Sequence, residues 1–246
     1  MTQKRSLNDL CKGNRFSRSE LLKYFEDNGF DMSKASFNNR LTELIKNGEI
    51  VRIGHNTYVL GNYECAIYSY IYSAKAQNIA KEISDRYPFV DFRIFETCQL
   101  NEFINHLLAH NTTIVYVEPV ALESVFEELK TLYPGKVLLN PSIDMYHQYW
   151  SDDMIVLKKL VTESPKGLDL SWHTRLEKMI VDLVADKLLS KMIQDNEIDT
   201  VIEEASNKYT IDISCLGRYA RRRKALGKIE KYTSADNMKR MGLIND

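Results

Sequence analysis

Apolar residues change their spacing along this chain, and the change divides it. Up to about residue 60 they recur in short stripes. Leu21, Leu22 and Phe25 form one at helical spacing, and Phe37, Leu41, Leu44 and Ile45 form another. Ser17 followed by Glu20 is a capping box, in which each side chain satisfies the other's free amide, so a helix starts there. Asn28-Gly29 ends it by supplying a left-handed residue. Ser33 caps the next helix and Asn47-Gly48 stops it. Alternation over Glu49–Ile53 and Thr57–Leu60 about a Gly54-His55-Asn56 turn predicts a hairpin. A weak helix is also expected over Leu7–Lys12.

Beyond the boundary at Gly61-Asn62 the texture is different. A long helical pattern covers Cys65–Tyr87, with Ala66, Ile67, Tyr70, Ile71, Ala74, Ile79, Ala80 and Ile83 inward, and Pro88 closes it. Strands are then expected over Val90–Phe95, Thr113–Val117, Lys136–Leu139 and Met154–Leu160, separated by helices over Leu100–Leu108, Ala121–Leu132 and Ile143–Tyr149. Strands alternating with such helices imply a largely parallel sheet. Thr174 and Glu177 form a second capping box ahead of a helix over Leu176–Met192, and further helices are read over Ile198–Tyr209 and Leu216–Tyr232. The expected fold is therefore α/β (α+β overall). A winged helix-turn-helix occupies residues 1–62, and a larger α/β domain with a mostly parallel sheet and a helical C-terminus occupies residues 63–246.

Charge changes the picture once it is counted by segment. The 246 residues carry a formal net charge of −1, which taken whole argues against a protein coated in nucleic acid. Residues 1–60 are at +3, residues 61–190 at −6 and residues 191–246 at +2. Both ends are basic and the middle is acidic, so a locally basic module is hidden by cancellation. The N-terminus has no apolar stretch of the kind a secretory signal needs, and no segment approaches the roughly 20 apolar residues of a membrane helix. Cys11, Cys65, Cys98 and Cys215 lie far apart with no C-x-x-C pair, which argues against zinc ribbons and thioredoxin-like chemistry. A cytoplasmic protein with reduced thiols and no membrane contact is expected.

With the Phe37/Leu41/Leu44 stripe inward, Ser36, Asn39, Thr42, Glu43 and Lys46 point outward at 100° per residue, with Asn38 and Arg40 on the flanks. A helix with one buried face can lay the other in the major groove while a hairpin wing reaches phosphate or minor groove. Asparagine pairs bidentately with adenine and arginine with guanine, so Asn39 and Arg40 are the base-reading candidates. Lys34, Arg52, His55 and Asn56 suit phosphate and wing contacts. The competing reading is a protein-interaction module with a solvated outer helix face.

Catalytic signals are sparse. No G-x-x-x-x-G-K-[ST] or G-x-G-x-x-G loop is present. His106 and His110 have zinc-like spacing but lack the glutamate of H-E-x-x-H, and read as a surface pair on an amphipathic helix. Asp91, Glu96 and Glu118 lie on or beside strands and suggest a metal nuclease, yet Val120 stands where an E-x-K motif would have lysine. No catalytic residue, metal site or cofactor is assigned. The concentrated signal is Arg218-Tyr219-Ala220-Arg221-Arg222-Arg223-Lys224, whose Arg218, Arg221, Arg222, Arg223 and Lys224 suit a nucleic-acid backbone or an acidic protein face. Alternatively this helix folds back on the acidic block of its own domain.

The N-terminal pattern, followed by Thr97-Cys98-Gln99-Leu100-Asn101-Glu102-Phe103, Val115-Tyr116-Val117-Glu118, Ala121-Leu122-Glu123-Ser124-Val125-Phe126, Leu138-Leu139-Asn140-Pro141-Ser142 and Leu176-Glu177-Lys178-Met179-Ile180-Val181-Asp182-Leu183, resembles the AbiEi-like antitoxins of bacterial type IV toxin–antitoxin systems. The closing Arg218–Arg223 run is similar to the end of the same group. The resemblance implies a non-enzymatic protein with two tasks. Its winged helix would bind repeats in double-stranded promoter DNA and repress its own operon. Its C-terminal domain would counter a co-encoded nucleotidyltransferase-like toxin without a stable complex. Repeated half-sites imply a dimer on DNA. Two readings compete with this one: a diverged nuclease or nucleotide-processing enzyme with a DNA-targeting module, and a ligand-sensing regulator without a toxin.

Overall fold

The computed structural model describes residues 16–30, 32–47, 49–54, 57–60, 67–104, 106–193 and 195–231. The expected helix over Leu7–Lys12 and the turn residues His55 and Asn56 lie outside them, as do Cys11 and Cys65.

The N-terminal unit runs β1 (Phe16–Ser17), α1 (Arg18–Asp27), α2 (Lys34–Lys46), β2 (Ile50–Gly54) and β3 (Thr57–Leu60). Ser17 caps α1 with the complete capping box: its hydroxyl accepts from the Glu20 amide while the Glu20 carboxylate accepts from the Ser17 amide. The Ser33 hydroxyl accepts from the Ser36 amide to start α2. Strand β1, absent from the sequence reading, pairs antiparallel with β3, which pairs antiparallel with β2. Phe16, Leu21, Phe25, Phe37, Leu41, Leu44, Ile50, Tyr58 and Leu60 fill one core. Ile45 was expected inward with Leu44 but stays exposed, because a 100° step past Leu44 carries it off the buried stripe.

The second unit is a three-layer α/β sandwich. Its mixed sheet has the order β4-β5-β7-β6, built from β4 (Phe92–Glu96), β5 (Thr113–Val117), β6 (Val137–Leu139) and β7 (Ile155–Lys159). Strands β5, β7 and β6 are parallel, whereas β4 runs antiparallel to β5. The reversal at β4 overturns the expected helix over Leu100–Leu108. An antiparallel neighbour needs no helical crossover, and the connection is a 3-10 turn over Thr97–Glu102 and a loop.

Both sheet faces are buried, and alternate residues along each strand supply the two layers. Ile94, Val115, Val117, Ile155 and Leu157 pack with α3 (Ala74–Arg86) and α4 (Leu122–Leu132). Phe95, Ile114, Tyr116 and Val156 face α5 (Ile143–Tyr149), α6 (Leu176–Ala185), α7 (Leu189–Met192), α8 (Asp195–Lys208), α9 (Ile213–Arg222) and α10 (Leu226–Lys231). The chain moves outward from β5 to β6 and back to β7. Right-handed crossovers therefore place α4 and α5 on opposite faces.

Three further expectations are corrected. The helix expected over Cys65–Tyr87 begins at Ala74, where the Ser73 hydroxyl caps it. Residues 67–73 form no helix, and Ile67 and Ile71 are exposed instead of buried. Thr174 and Glu177 do not form a capping box. The Thr174 hydroxyl donates to the Ile94 carbonyl and its amide to the Tyr72 hydroxyl, while Glu177 is taken up by Arg175. The helices expected over Leu176–Met192 and Leu216–Tyr232 each break once. The first stops at Asp186, whose carboxylate accepts from the Leu188 amide, and the second at Arg223 before Lys224 in the left-handed region, φ 53°.

Candidate nucleic-acid interface

Helix α2 separates its faces cleanly. Phe37, Leu41 and Leu44 are buried, and Lys34, Ser36, Asn38, Asn39, Arg40, Thr42 and Lys46 are all exposed. Their polar atoms are not equally free. The Ser36 hydroxyl lies 3.0 Å from that of Ser33 in the cap. Asn38 accepts from Arg18, whose guanidinium also covers the Phe37 ring at 5.2 Å. Thr42 donates to the Asn38 carbonyl at 2.9 Å. Arg40 donates to Glu43 one turn on, at 3.1 Å. Among the described residues no such partner is recorded for the side chains of Asn39, Lys34 or Lys46. Of the two base-reading candidates, Asn39 is therefore open, and Arg40 sits in an exposed ion pair that costs little to break. Arg52 lies on β2, and His55 and Asn56 fall outside the described residues.

The basic run near the C-terminus splits in two. Tyr219 and Arg223, four residues apart, share the inward face of α9. The buried Tyr219 hydroxyl donates to Asp182 at 2.9 Å, and Arg223 pairs with Asp182 at 3.1 Å and Asp186 at 4.0 Å. Arg223 thus makes the fold-back contact with the acidic residues of its own domain, the alternative the sequence left open for this run. Arg218, Arg221, Arg222 and Lys224 remain exposed, with Arg222 donating to the Thr162 hydroxyl at 2.6 Å. Helix α9 also contacts β2 of the N-terminal unit.

Arg223 anchors a buried charge network. Lys178 pairs with Asp182 one turn along α6, and its ammonium sits 3.3 Å from the centre of the Tyr116 ring. Lys158 donates to Asp186 at 2.7 Å. Burial pushes the Lys178 ammonium below the ordinary lysine value and the Tyr116 and Tyr219 phenols above theirs. Every charge in it has an opposite partner, so the network reads as cement between α6, α9 and the sheet.

The other candidates for chemistry are dispersed. Asp91 is held by Arg93 at 2.9 Å, and the Glu118 carboxylate accepts from the Asp91 amide at 3.2 Å. Glu96 accepts from the Ser73 amide and from Asn111. His106 and His110 are not on a helix; they turn to different acids, Glu197 and Asp152. Among the described residues no three His, Cys, Asp or Glu side chains converge on a point that would hold a metal ion, and no helix is long and apolar enough to cross a membrane. A pocket of about 180 Å³ between residues 67–72 and α6 holds Arg175, but Glu177 and Asp212 already occupy its guanidinium.

No curated protein matches the chain. Among solved structures it is similar to the RV2827C protein from Mycobacterium tuberculosis at 8% identity and a TM-score of 0.25, with 90% of this chain and 76% of that one covered. The model of DUF6577, a family of unknown function, matches residues 36–239, and the chain belongs to that family.

Proposed function

We propose that residues 16–60 work as a winged helix-turn-helix that binds double-stranded DNA, and that the protein is a regulator rather than an enzyme. The observation that carries this reading is α2: one face is buried on the core, and the other offers an unengaged Asn39, a weakly held Arg40 and the cations Lys34 and Lys46. That is the chemistry of a recognition helix in the major groove. The exposed Arg218, Arg221 and Arg222 on α9, a helix that contacts β2, add phosphate-binding charge to the same molecule.

The finer reading rests on the resemblance to AbiEi-like antitoxins. In it, the protein represses its own operon through promoter repeats, as a dimer on DNA, and the α/β domain counters a co-encoded nucleotidyltransferase-like toxin in the cytoplasm. Co-expression tests it. The neighbouring open reading frame should arrest growth alone and lose that effect when this chain is supplied. A neighbour that is harmless alone removes the antitoxin reading and leaves the DNA-binding one to its own assay.

A further inference from the structure

A second concave site lies in the α/β domain, away from α2. It is a pocket of about 380 Å³ between α5, α7 and the loop entering β5, within the usual size range of small-molecule sites. Its floor is largely apolar, with Leu108 and Ile143, and its buried hydroxyls are engaged: Thr112 and Tyr146 lie 2.6 Å apart, and Thr97 accepts from the Thr112 amide at 2.9 Å. The polar atoms of the floor thus already have partners within the protein.

The rim is different. Trp150 forms one wall, met edge-on by the His110 ring at 4.7 Å and 69°. Asp152 accepts from Nδ1 of His110 at 2.9 Å, which orients the ring. His147 and Lys191 stand on the rim without an acidic partner among the described residues, and no acidic side chain lines the pocket. An apolar floor, an indole wall and the donors of His147 and Lys191 describe one kind of ligand: a planar aromatic group carrying a phosphate. Stacking on the wall fixes the ring, and the rim nitrogens hold the charge.

We infer that this pocket binds a nucleoside monophosphate, with the base against Trp150 and the phosphate between Lys191 and His147. The inference is independent of DNA binding, because none of these residues lies in the N-terminal unit or on α9.

Isothermal titration calorimetry of the full chain with AMP, GMP, CMP and UMP, with the matching nucleosides and with inorganic phosphate, tests it. At least one nucleotide should bind, and its nucleoside and phosphate alone should each bind at least about tenfold more weakly. Trp150→Ala and Lys191→Gln should each lower nucleotide affinity by about tenfold. Both positions are exposed, and Trp150→Phe, which keeps an aromatic wall, should retain most of the affinity if the alanine variant unfolds. Absence of binding by all four nucleotides overturns the assignment. So does phosphate binding as tightly as the nucleotide, or a nucleotide whose affinity is the same in wild type, Trp150→Ala and Lys191→Gln.

Discussion

The Arg223 guanidinium lies 3.1 Å from the carboxylate of Asp182, a residue that is almost wholly buried in α6. This ion pair joins the C-cap residue of α9 to the helix beneath it, and so separates one arginine of the cluster from its neighbours. Removing one partner of a buried pair leaves the other charge without compensation, at a cost of about 3 kcal/mol. Arg223→Gln should therefore lower the urea midpoint markedly. Arg221→Gln, at an exposed position, should change stability by less than about 0.5 kcal/mol and act on DNA affinity instead. Equal urea midpoints for the two variants would show that Arg223 is not the structural member.

A second buried cation gives a pH-dependent prediction. Arg93 is fully buried, with its guanidinium on Asp91 and on the Pro165 and Phe92 carbonyls. Burial raises the Asp91 carboxyl, but the hydrogen bonds and charge of Arg93, with Lys166 nearby, outweigh that and hold it below the ordinary aspartate value. The contribution of ionised Asp91 is complete above about pH 3.9 and is lost as pH falls through the lower folded value. Asp91→Asn should thus destabilise the protein at pH 7 by about 1–2 kcal/mol, discounted for the exposure of Asp91. The gap between variant and wild type in urea titrations should close below pH 4. A gap that stays constant down to pH 2 contradicts the pairing.

On α2, Glu43 holds Arg40 in an exposed ion pair, so in the proposed DNA complex it would compete with DNA for that guanidinium. Glu43→Gln releases the guanidinium and removes a negative charge from the helix face, so affinity for duplex DNA should rise several-fold in fluorescence anisotropy at 100 mM salt, chiefly at low ionic strength. Weaker binding in this variant would place Glu43 itself among the groups that read bases, as an acceptor for cytosine.

Asn39 and Lys34 should separate two kinds of contact. Asn39→Ala should cost about 1–3 kcal/mol on the operator and little on a scrambled duplex. Lys34→Ala should weaken both alike and reduce the salt dependence by about one counterion. Competition binding with the two duplexes at three salt concentrations distinguishes these outcomes from a helix face that is merely solvated, in which neither variant changes affinity.

Local signals were the legible ones. Ser17 with Glu20, Ser33 and the Phe37/Leu41/Leu44 stripe located α1 and α2, and the helix over Ile143–Tyr149 occurs where the pattern puts it. Long-range capture defeated the rest. Ile67, Tyr70, Ile71 and Ala74 have helical spacing, but Tyr72 bonds to the Ile94 carbonyl across the chain and the segment before Ala74 forms no helix. The Thr174 hydroxyl and amide are claimed by Ile94 and Tyr72, which no local rule reveals. The split of the arginine run was partly visible, since Leu216, Tyr219 and Arg223 recur at helical spacing and mark one inward face. The rim of His110, His147, Trp150 and Lys191 was not, because only the fold brings the end of α5 together with His110 and with Lys191 of α7.

The central claim, that α2 reads duplex DNA, is tested most directly by measuring the affinity of the full chain for its own upstream DNA and for a scrambled duplex across 50–200 mM salt, with wild type and the Asn39→Ala/Arg40→Ala double variant. The account predicts preferential binding to the upstream DNA, falling linearly in log affinity against log salt, and a double variant that keeps the salt slope of non-specific binding but loses the preference. No binding to either duplex at 50 mM salt, or a preference left intact in the double variant, would contradict it.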